Sequence, residues 1–225
     1  SIMCGKTLRA GSVAAVRNIK NPIALSRRVM ENSGFVYLVG RGAEEFAKTQ
    51  NMEMVDNEYF FTEYRYRQWQ EIKNESVVAL DHVESKKFGT VGAVALDVNG
   101  NLAAATSTGG LTNKRFGRVG DSSVIGAGTY ANNESCAISC TGYGEYFIRS
   151  VVAHDIAALY KYKELSLNES CHVVVHQKLV DIGGEGGLIA IDKDGNIEMQ
   201  FNTEGMYRGS IGNEKNDFKI SIYKD

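Results

Sequence analysis

The spacing of apolar residues along the chain changes near residue 89, and this change divides the predicted elements into two groups. Before this point the pattern predicts a short apolar segment over 11–16, a helix over 21–32, a buried strand over 35–39, and helices over 43–49 and 63–73. The pair Asn21-Pro22 predicts where the first of these helices begins, because proline is favoured in the first turn of a helix. Residues 74–89 show no clear period, and we predict an exposed linker there.

The second group consists of strands separated by strong turn signals, with two helices between them. Segments 97–102 and 192–197 are near copies, and each places an Asn-Gly or Asp-Gly pair between apolar strands, which predicts a hairpin. Helical spacing predicts helices over 145–160 and 166–179, the second opening with a Ser-x-x-Glu capping box. Residues 91–96 are apolar or small throughout, which indicates a strand covered on both faces. Together these elements predict an α+β sandwich.

Composition and charge narrow the class of protein. The chain has 225 residues, 43% of them hydrophobic, and a net charge of −2, which indicates a globular protein with a substantial core. No long basic block is present, so we expect no nucleic-acid partner. No apolar run approaches the roughly 18 residues of a membrane span, and the first residues do not follow the order of a secretory signal. We therefore expect no membrane partner and a cytoplasmic location.

The cysteines and histidines give no strong metal signature. The four cysteines are too few and too scattered for a disulfide scaffold, and we interpret them as reduced and buried. His172 and His176 are four residues apart on a predicted helix, but a zinc site would need a third ligand. Any metal ligands of this protein are therefore unknown at this point.

Thr90, between Gly89 and the apolar strand, is the candidate nucleophile. A threonine hydroxyl is weakly reactive alone, and it can be activated when the threonine begins a chain, because its own amine then accepts the proton. The pKa of such an amine is ordinarily about 7.7–8.0, which suits a general base at neutral pH. The hypothesis therefore requires cleavage between Gly89 and Thr90.

The register of the first hairpin decides which residue faces Thr90. A two-residue turn would set Thr90 opposite Gly109, whereas a three-residue turn with a left-handed Gly100 would pair Thr90 with Thr108. In either register Thr108 lies beside Thr90, where its hydroxyl can orient or polarise the nucleophile. The alternative is that residues 106–108 are ordinary strand formers.

A glycine-rich segment over 117–121 offers a cation and an anion three residues apart. The guanidinium of Arg118 suits the carboxylate of a free amino acid, and the carboxylate of Asp121 suits its ammonium group. We therefore predict a clamp for a zwitterionic head group. The alternative is a surface salt bridge that contributes little.

A third motif, Thr141-Gly142-Tyr143-Gly144, lies where a predicted strand meets the first long helix. Amides at a helix N-terminus carry partial positive charge, and glycines let a reacting group approach the backbone. The Thr141 hydroxyl and Gly142 amide are thus candidates for an oxyanion hole. The alternative is a tight strand-to-helix turn without a chemical role.

Taken together, the segments around Thr90, Thr108, Arg118 and Thr141 strongly resemble the plant-type asparaginase and isoaspartyl peptidase family of N-terminal nucleophile hydrolases. The resemblance extends from Ser1 to about Arg208. It implies a single domain, a four-layer αββα sandwich, whose precursor cleaves itself into a 1–89 portion and a 90–225 portion. By motif match, the resemblance assigns Thr90, Thr108, Thr141 and Gly142 to catalysis, Arg118, Asp121 and Gly144 to substrate binding, and Gly89 and Thr90 to self-cleavage.

The resemblance also implies a substrate class. Proteins of this family hydrolyse L-asparagine to L-aspartate and ammonia and cleave β-aspartyl dipeptides, without a metal or organic cofactor in the chemistry. It implies a homodimer of processed pairs, and a structural sodium ion is known in the family. Gly109 and Asp121 favour this branch over the glycosylasparaginases and the threonine aspartases, and a glycosylasparaginase-like amidase is the alternative among enzymes.

The chain departs from the family pattern at its start. Family members begin upstream with a strand ending in His-Gly-Gly-Ala-Gly and carry a later Asn-Ala-Gly segment, and neither motif occurs here. We therefore expect the sandwich without its first strand and helices, with an exposed sheet edge. We interpret the sequence as a fragment of a longer product; the alternative is a truncated member that is unprocessed or non-catalytic.

Overall fold

The computed structural model describes residues 1–74, 89–212 and 218–224, so the predicted linker over 74–89 lies, except for its two end residues, outside the described residues. The strands are β1 (Ile2–Cys4), β2 (Ala10–Ala14), β3 (Tyr37–Val39), β4 (Thr90–Leu96), β5 (Leu102–Thr108), β6 (Thr129–Ala131), β7 (Cys136–Gly142), β8 (Gly186–Asp192), β9 (Ile197–Phe201), β10 (Gly205–Ile211) and β11 (Phe218–Tyr223). The α-helices are α1 (Pro22–Asn32), α2 (Gly40–Thr49), α3 (Glu63–Ile72), α4 (Gly144–Ser150), α5 (Val152–Tyr162), α6 (Leu167–His172) and α7 (Leu179–Asp181). Short 3-10 helices cover Asn57–Phe60 and Asp121–Ser123, and a π-helix covers Val173–Lys178 between α6 and α7.

Two sheets pack face to face at the centre of the molecule. The first has the order β3-β2-β1-β5-β4 and the second the order β6-β7-β8-β9, while β10 and β11 pair as a separate hairpin. Small and aliphatic side chains fill the space between the sheets, among them Met3, Leu102, Ala104, Ala131 and Ala137. We call the sheet faces that meet here the inner faces. The sheet-on-sheet packing confirms the predicted α+β sandwich.

Helices cover the outer faces of the two sheets. Val13 of β2 packs with Leu25 and Val29 of α1 and with alanines of α2. On the other side, Ile138 of β7 packs with Phe147 and the helices that follow it. The order of layers is thus helix, sheet, sheet, helix, as the family resemblance implied. None of the helices in the described residues is long and apolar enough to cross a membrane.

Local capping explains where two predicted helices begin. The Asn21 side chain accepts a hydrogen bond from the Ala24 amide at 3.1 Å, and Pro22 occupies the first turn of α1. At α6, the Ser166 side chain and Glu169 form the reciprocal capping box that the sequence predicts. Both starts are therefore fixed by residues next to the helix, which is why they could be predicted.

The predicted helix over 145–160 is two helices rather than one. Val151 adopts a left-handed conformation with φ 48° and ψ 47°, and it separates α4 from α5. The first amides of α5 donate to a distant loop, Ala153 to the Ala127 carbonyl at 3.1 Å and His154 to the Gly126 carbonyl at 2.8 Å. These contacts hold α5 away from the axis of α4, so the single-helix prediction was wrong.

Burial of the outer strands also differs from the prediction. Val91 in β4 is 74% exposed and Phe35, just before β3, is 67% exposed, although both segments were predicted as buried strands. β3 and β4 are the two edges of the first sheet. The helices α1 and α2 cover this sheet near β2, and the outer face of β4 is open to solvent among the described residues. The apolar run over 91–96 thus has one exposed face and one face whose Val94 and Leu96 side chains are partly buried between the sheets.

Candidate active site

The first hairpin sets Thr90 directly opposite Thr108. The ladder pairs every residue from Thr90 to Leu96 with one from Leu102 to Thr108. Asp97 and Asn101 close a three-residue turn, with the Asp97 amide donating to the Asn101 carbonyl at 2.9 Å and Gly100 left-handed at φ 77°. Of the two predicted registers, the three-residue turn is the one that forms. Side chains of residues paired in this way lie about 4.5–5.5 Å apart at their Cβ atoms.

The proposed cleavage point lies at the very start of β4. Gly89 is exposed and precedes the strand, and Thr90 is the first strand residue and is partly buried. The bond between them is therefore outside the ladder of hydrogen bonds that holds the rest of β4. An exposed bond at the end of an element is accessible to chemistry without disruption of the sheet.

Three threonine side chains, each from a different strand, project from the inner faces of the two sheets. Thr90 and Thr108 share a face with Val94 and Ala104, which pack between the sheets. Thr141 in β7 lies on the same face as Ala137, a member of the same core. We call Thr90, Thr108 and Thr141 the threonine row. The Thr141 hydroxyl oxygen is buried and has no hydrogen-bond partner among the described residues.

Arg118 forms an ion pair with Glu145 rather than with Asp121. Its Nε and Nη2 atoms donate to the two carboxylate oxygens of Glu145, each at 2.8 Å. The Arg118 side chain is only 17% exposed, and the hydrogen bond from Arg118 is the main reason that the pKa of Glu145 lies below its usual value. Such a two-bonded pair fixes the plane of the guanidinium, while its Nη1 atom is not used in the pair.

Asp121 is buried next to this pair. Loss of hydration raises the pKa of its carboxyl to about 7, although nearby Arg118 acts in the opposite direction. Its Oδ2 atom has no hydrogen-bond partner among the described residues. A Cβ atom at Gly144 would lie 2.9 Å from Asp121 Oδ1 and 3.0 Å from Arg118 Nη2. Because Gly144 has no side chain, the Asp121 carboxyl and the Arg118 guanidinium can both lie against its backbone.

Gly142 ends β7 in a position that only glycine fits. A Cβ atom there would lie 2.5 Å from a ring carbon of Phe147 and 2.6 Å from the Glu185 carbonyl oxygen. α4, which begins at Gly144, has only seven residues. The close packing explains the glycine without reference to chemistry, and the proposed oxyanion role of its amide stays a prediction.

A cavity of about 480 Å³ lies beside the threonine row. Its lining includes Thr108, Gly109, Gly117, Arg118 and Gly120, together with residues of β2, α1 and Phe60. Thr90, Asp121, Thr141, Gly142 and Gly144 are not part of this lining. The structure therefore brings Thr108 and Arg118 to one cavity, with Thr90 across the ladder from Thr108 and Asp121 behind Arg118.

Sequence reasoning did not assign a role to Glu145 or to a group of buried hydroxyls below the threonine row. Glu145 follows directly after the Thr141 to Gly144 motif, so its place in the chain was a signal that pointed to it. Its partner Arg118 lies 27 residues away, and this pairing depends on the fold. The hydroxyls belong to Thr106 and Ser139, which alternate with site residues on β5 and β7.

The cysteines are all free; Cys136, Cys140 and Cys171 are buried, as predicted, whereas Cys4 at the end of β1 is only partly buried, so the prediction was wrong for this residue. Burial raises the pKa of the Cys136 thiol to about 12, so it is uncharged at neutral pH. The rings of His172 and His176 lie 4.9 Å apart at their centroids. Among the described residues, no group of three or more ligand side chains could hold a metal ion.

Comparison of the sequence with known proteins shows which family the chain resembles. The asparaginase family matches residues 1–220 of the chain. The isoaspartyl peptidase of Escherichia coli (strain K12) is 57% identical over 212 residues, which cover 92% of this chain and 66% of that protein. The isoaspartyl peptidase/L-asparaginase of Xenopus laevis is 40% identical over 223 residues, covering 99% of this chain and 70% of the relative.

The isoaspartyl peptidase of Salmonella typhimurium is 55% identical over 212 residues and is covered over 68% of its length. The chain thus spans about two thirds of the length of these relatives. The family match over residues 1–220 includes every site residue described above, and the three relatives match 92–99% of this chain. The chain belongs to the asparaginase family.

Proposed function

We propose that this protein is an amidohydrolase that cuts its own chain between Gly89 and Thr90 and then uses Thr90 as its nucleophile. Its proposed reactions are the hydrolysis of L-asparagine to L-aspartate and ammonia and the cleavage of β-aspartyl dipeptides. The observation that carries the proposal is the pairing of Thr90 with Thr108 beside a cavity that Arg118 also lines. The names of the related proteins support the choice of substrates.

The proposed chemistry begins at the new amine of Thr90. This amine takes the hydroxyl proton, and the Thr90 oxygen attacks the carbonyl carbon of the substrate side-chain amide. The Thr141 hydroxyl and the Gly142 amide stabilise the negative oxygen that forms, and Thr108 orients the nucleophile. The amide C–N bond then breaks, and ammonia or the amine of a dipeptide leaves with the proton. Water hydrolyses the remaining β-aspartyl ester and restores Thr90.

The free head group of the substrate is held at the other side of the proposed site. The Nη1 side of the Arg118 guanidinium, fixed by Glu145, binds the α-carboxylate, and the Asp121 carboxylate binds the α-ammonium group. Gly144 leaves space beside both groups. Such a clamp selects substrates whose scissile amide is on the side-chain carboxyl, because the α-carboxyl must be free.

The proposal extends to the assembly and the place of the protein. We propose that 1–89 and 90–225 together form one domain after cleavage, and that two such pairs form a homodimer. The small substrates fit a cytoplasmic location. No nucleic acid or membrane takes part in the proposed reaction.

Intact-mass measurement of the purified full chain tests the proposal. The expected result is two fragments, one ending at Gly89 and one beginning at Thr90, with Thr90→Ala uncut. Thr49→Ala, at an exposed helix end away from the site, is the matched control and should be cut like the wild type. Assays with L-asparagine and a β-aspartyl dipeptide follow, and a wild-type chain that stays uncut and inactive after long incubation would overturn the proposal.

A further inference from the structure

The two sheets are in close contact directly below the threonine row. Each threonine has a same-strand neighbour two residues away that points to the same inner face: Gly92 below Thr90, Thr106 below Thr108 and Ser139 below Thr141. We call Gly92, Thr106 and Ser139 the spacer layer. Gly92 and Thr106 face each other in the β4–β5 ladder, and Ser139 reaches them from the other sheet.

Ser139 contacts both members of the first sheet. Its hydroxyl lies 2.7 Å from the hydroxyl of Thr106. A Cβ atom at Gly92 would lie 2.2 Å from the Ser139 hydroxyl oxygen and 2.9 Å from its Cβ atom. Neither distance is possible for a real side chain, so residue 92 must be glycine for Ser139 to sit where it does. The reason is this close approach between sheets, since the Gly92 backbone is that of an ordinary strand.

Further hydroxyls extend the layer away from the site. The Thr129 hydroxyl donates to that of Thr106 at 2.5 Å, and the Ser1 hydroxyl donates to that of Thr129 at 2.8 Å. Thr106 also donates to the Gly128 carbonyl at 3.1 Å. Ser139 and Thr106 are only 3% and 1% exposed. These contacts form a buried polar network in a space that is otherwise filled by alanines and aliphatic side chains.

Stability alone does not require such a network at this place. Buried hydroxyls must be hydrogen-bonded to offset their lost hydration, and apolar side chains of similar size stabilise a core at least as well. A satisfied network does fix one relative position of the groups that it joins. Catalytic groups must be held to within about half an ångström of the productive geometry, and here they come from two different sheets.

We propose that Gly92 and Ser139 are positioning residues that fix the distance between the two sheets at the threonine row, with Thr106 holding Ser139 in place. This inference rests on the proposed function, because the threonine row matters only if Thr90 and Thr141 act on one substrate. A methyl group at residue 92 drives Ser139, and with it the end of β7 that carries Thr141, away from Thr90. The distance between nucleophile and oxyanion donor then increases.

A double-mutant cycle tests the contact. The variants are Gly92→Ala, Ser139→Gly and the pair combined, because glycine at 139 removes both atoms that the new methyl group would meet. We expect Gly92→Ala to slow self-cleavage and lower kcat about tenfold or more, and the combined variant to be no slower than Ser139→Gly alone, because the methyl group at residue 92 then has nothing to displace. The KM for L-asparagine should stay within about twofold, since the head-group clamp is untouched. Gly42→Ala, at a helical glycine with open space around it, is the control and should behave as the wild type.

A milder variant guards against the case in which Gly92→Ala does not fold. Ser139→Ala removes the hydrogen bond to Thr106 without a clash, and it should lower kcat while the thermal midpoint changes little. The inference is overturned if a cut and active wild type is matched by Gly92→Ala and Ser139→Ala, or if the losses of Gly92→Ala and Ser139→Gly simply add in the combined variant. An uncut, inactive wild type would instead reject the proposed function and this inference with it.

Discussion

Asp121 has a carboxyl group whose charge depends on burial. Its pKa is raised to about 7 in the folded chain, against an ordinary value of 3.8, because the buried carboxylate loses its hydration. Between these two values the folded chain holds a proton that the unfolded chain has released. The free energy of unfolding contributed by Asp121 is therefore fully present below about pH 4 and is lost as the pH rises to about 7.

Asp121→Asn should remove this pH dependence. The amide keeps the shape of the carboxyl but does not titrate, so the variant should gain stability relative to the wild type as the pH rises from 4 to 8. The difference between the folded and the ordinary pKa of Asp121 corresponds to about 4 kcal/mol of unfolding free energy as an upper value. Urea unfolding at pH 4, 6 and 8 measures the difference, and parallel curves for the two proteins would contradict the assignment of the raised pKa to Asp121.

Glu145 should affect substrate binding through Arg118. Glu145→Gln keeps the size of the side chain but loses the charge that holds the guanidinium by two hydrogen bonds at 2.8 Å. We expect the KM for L-asparagine to rise about tenfold, equivalent to about 1.4 kcal/mol, with a smaller change in kcat. Steady-state kinetics measure both constants.

A matched surface pair provides the control for Glu145→Gln. Arg41 and Glu45 lie 2.9 Å apart in α2 with largely exposed side chains, and such a pair contributes little. Glu45→Gln should leave both constants unchanged. If Glu145→Gln and Glu45→Gln behave alike, Glu145 does not position Arg118 for the substrate.

The residues of the candidate site divide into those with a local signal and those without one. Arg118 and Asp121 lie in a glycine-rich segment, and Thr90 follows directly on Gly89. These neighbours in the sequence indicate all three as candidate site residues. Ser139 and Thr106 look like ordinary strand residues, because their contact joins residues 33 positions apart in different sheets. The sequence carries the alternation that points them inward, but not the partner that they meet.

At the scale of elements, Val151 is the clearest case of a local preference overruled by a distant contact. A β-branched residue disfavours the left-handed conformation by about 1–2 kcal/mol, yet Val151 adopts it with φ 48°. The pairing of α5 amides with the Gly126–Ala127 loop provides the compensation. Prediction from helical spacing alone could not detect this loop, which lies in the chain well before the helix.

Val151→Gly should relieve the strain in the backbone. Because glycine adopts the left-handed conformation readily, we expect it to be about 1 kcal/mol more stable than Val151→Ala, which keeps the Cβ atom. The comparison with alanine cancels most of the effect of the lost valine methyl groups. Thermal and urea unfolding of the two variants measure the difference, and an alanine variant of equal or greater stability would show that Val151 is unstrained.

The hairpin and the edge strands show what local pattern decides and what it does not. Asp97 and Gly100 specify the turn. The Asp97 carboxylate accepts hydrogen bonds from the amides of Asn99 and Asn101 at 2.8 Å, and Gly100 adopts the left-handed conformation. The register of Thr90 and Thr108 follows from this turn and was therefore within reach of the sequence. The exposure of β4 could not be predicted from the sequence, because it depends on which other elements cover the sheet.

At the scale of the whole molecule, the proposed cleavage point divides the strands of the first sheet between the two portions of the chain, yet these strands stay paired. β1, β2 and β3 precede Gly89, and β4 and β5 follow it, but β5 pairs with β1 over Ile2 to Cys4. Met3 and Ala10 also pack with Leu102 and Ala104 between the sheets. The two portions of the chain thus share one core, and neither contains all the strands of the first sheet by itself.

The two fragments should therefore remain together after cleavage under native conditions. Size-exclusion chromatography of the cut protein should give one peak that contains both 1–89 and 90–225, at the same elution volume as the uncut Thr90→Ala chain. In concentrated urea the same sample should resolve into two species, because unfolding removes the shared sheet and core and no covalent link remains between the fragments. A native peak that contains one fragment alone would contradict this expectation, since the β1–β5 pairing and the core between the sheets would then be too weak to hold the molecule together.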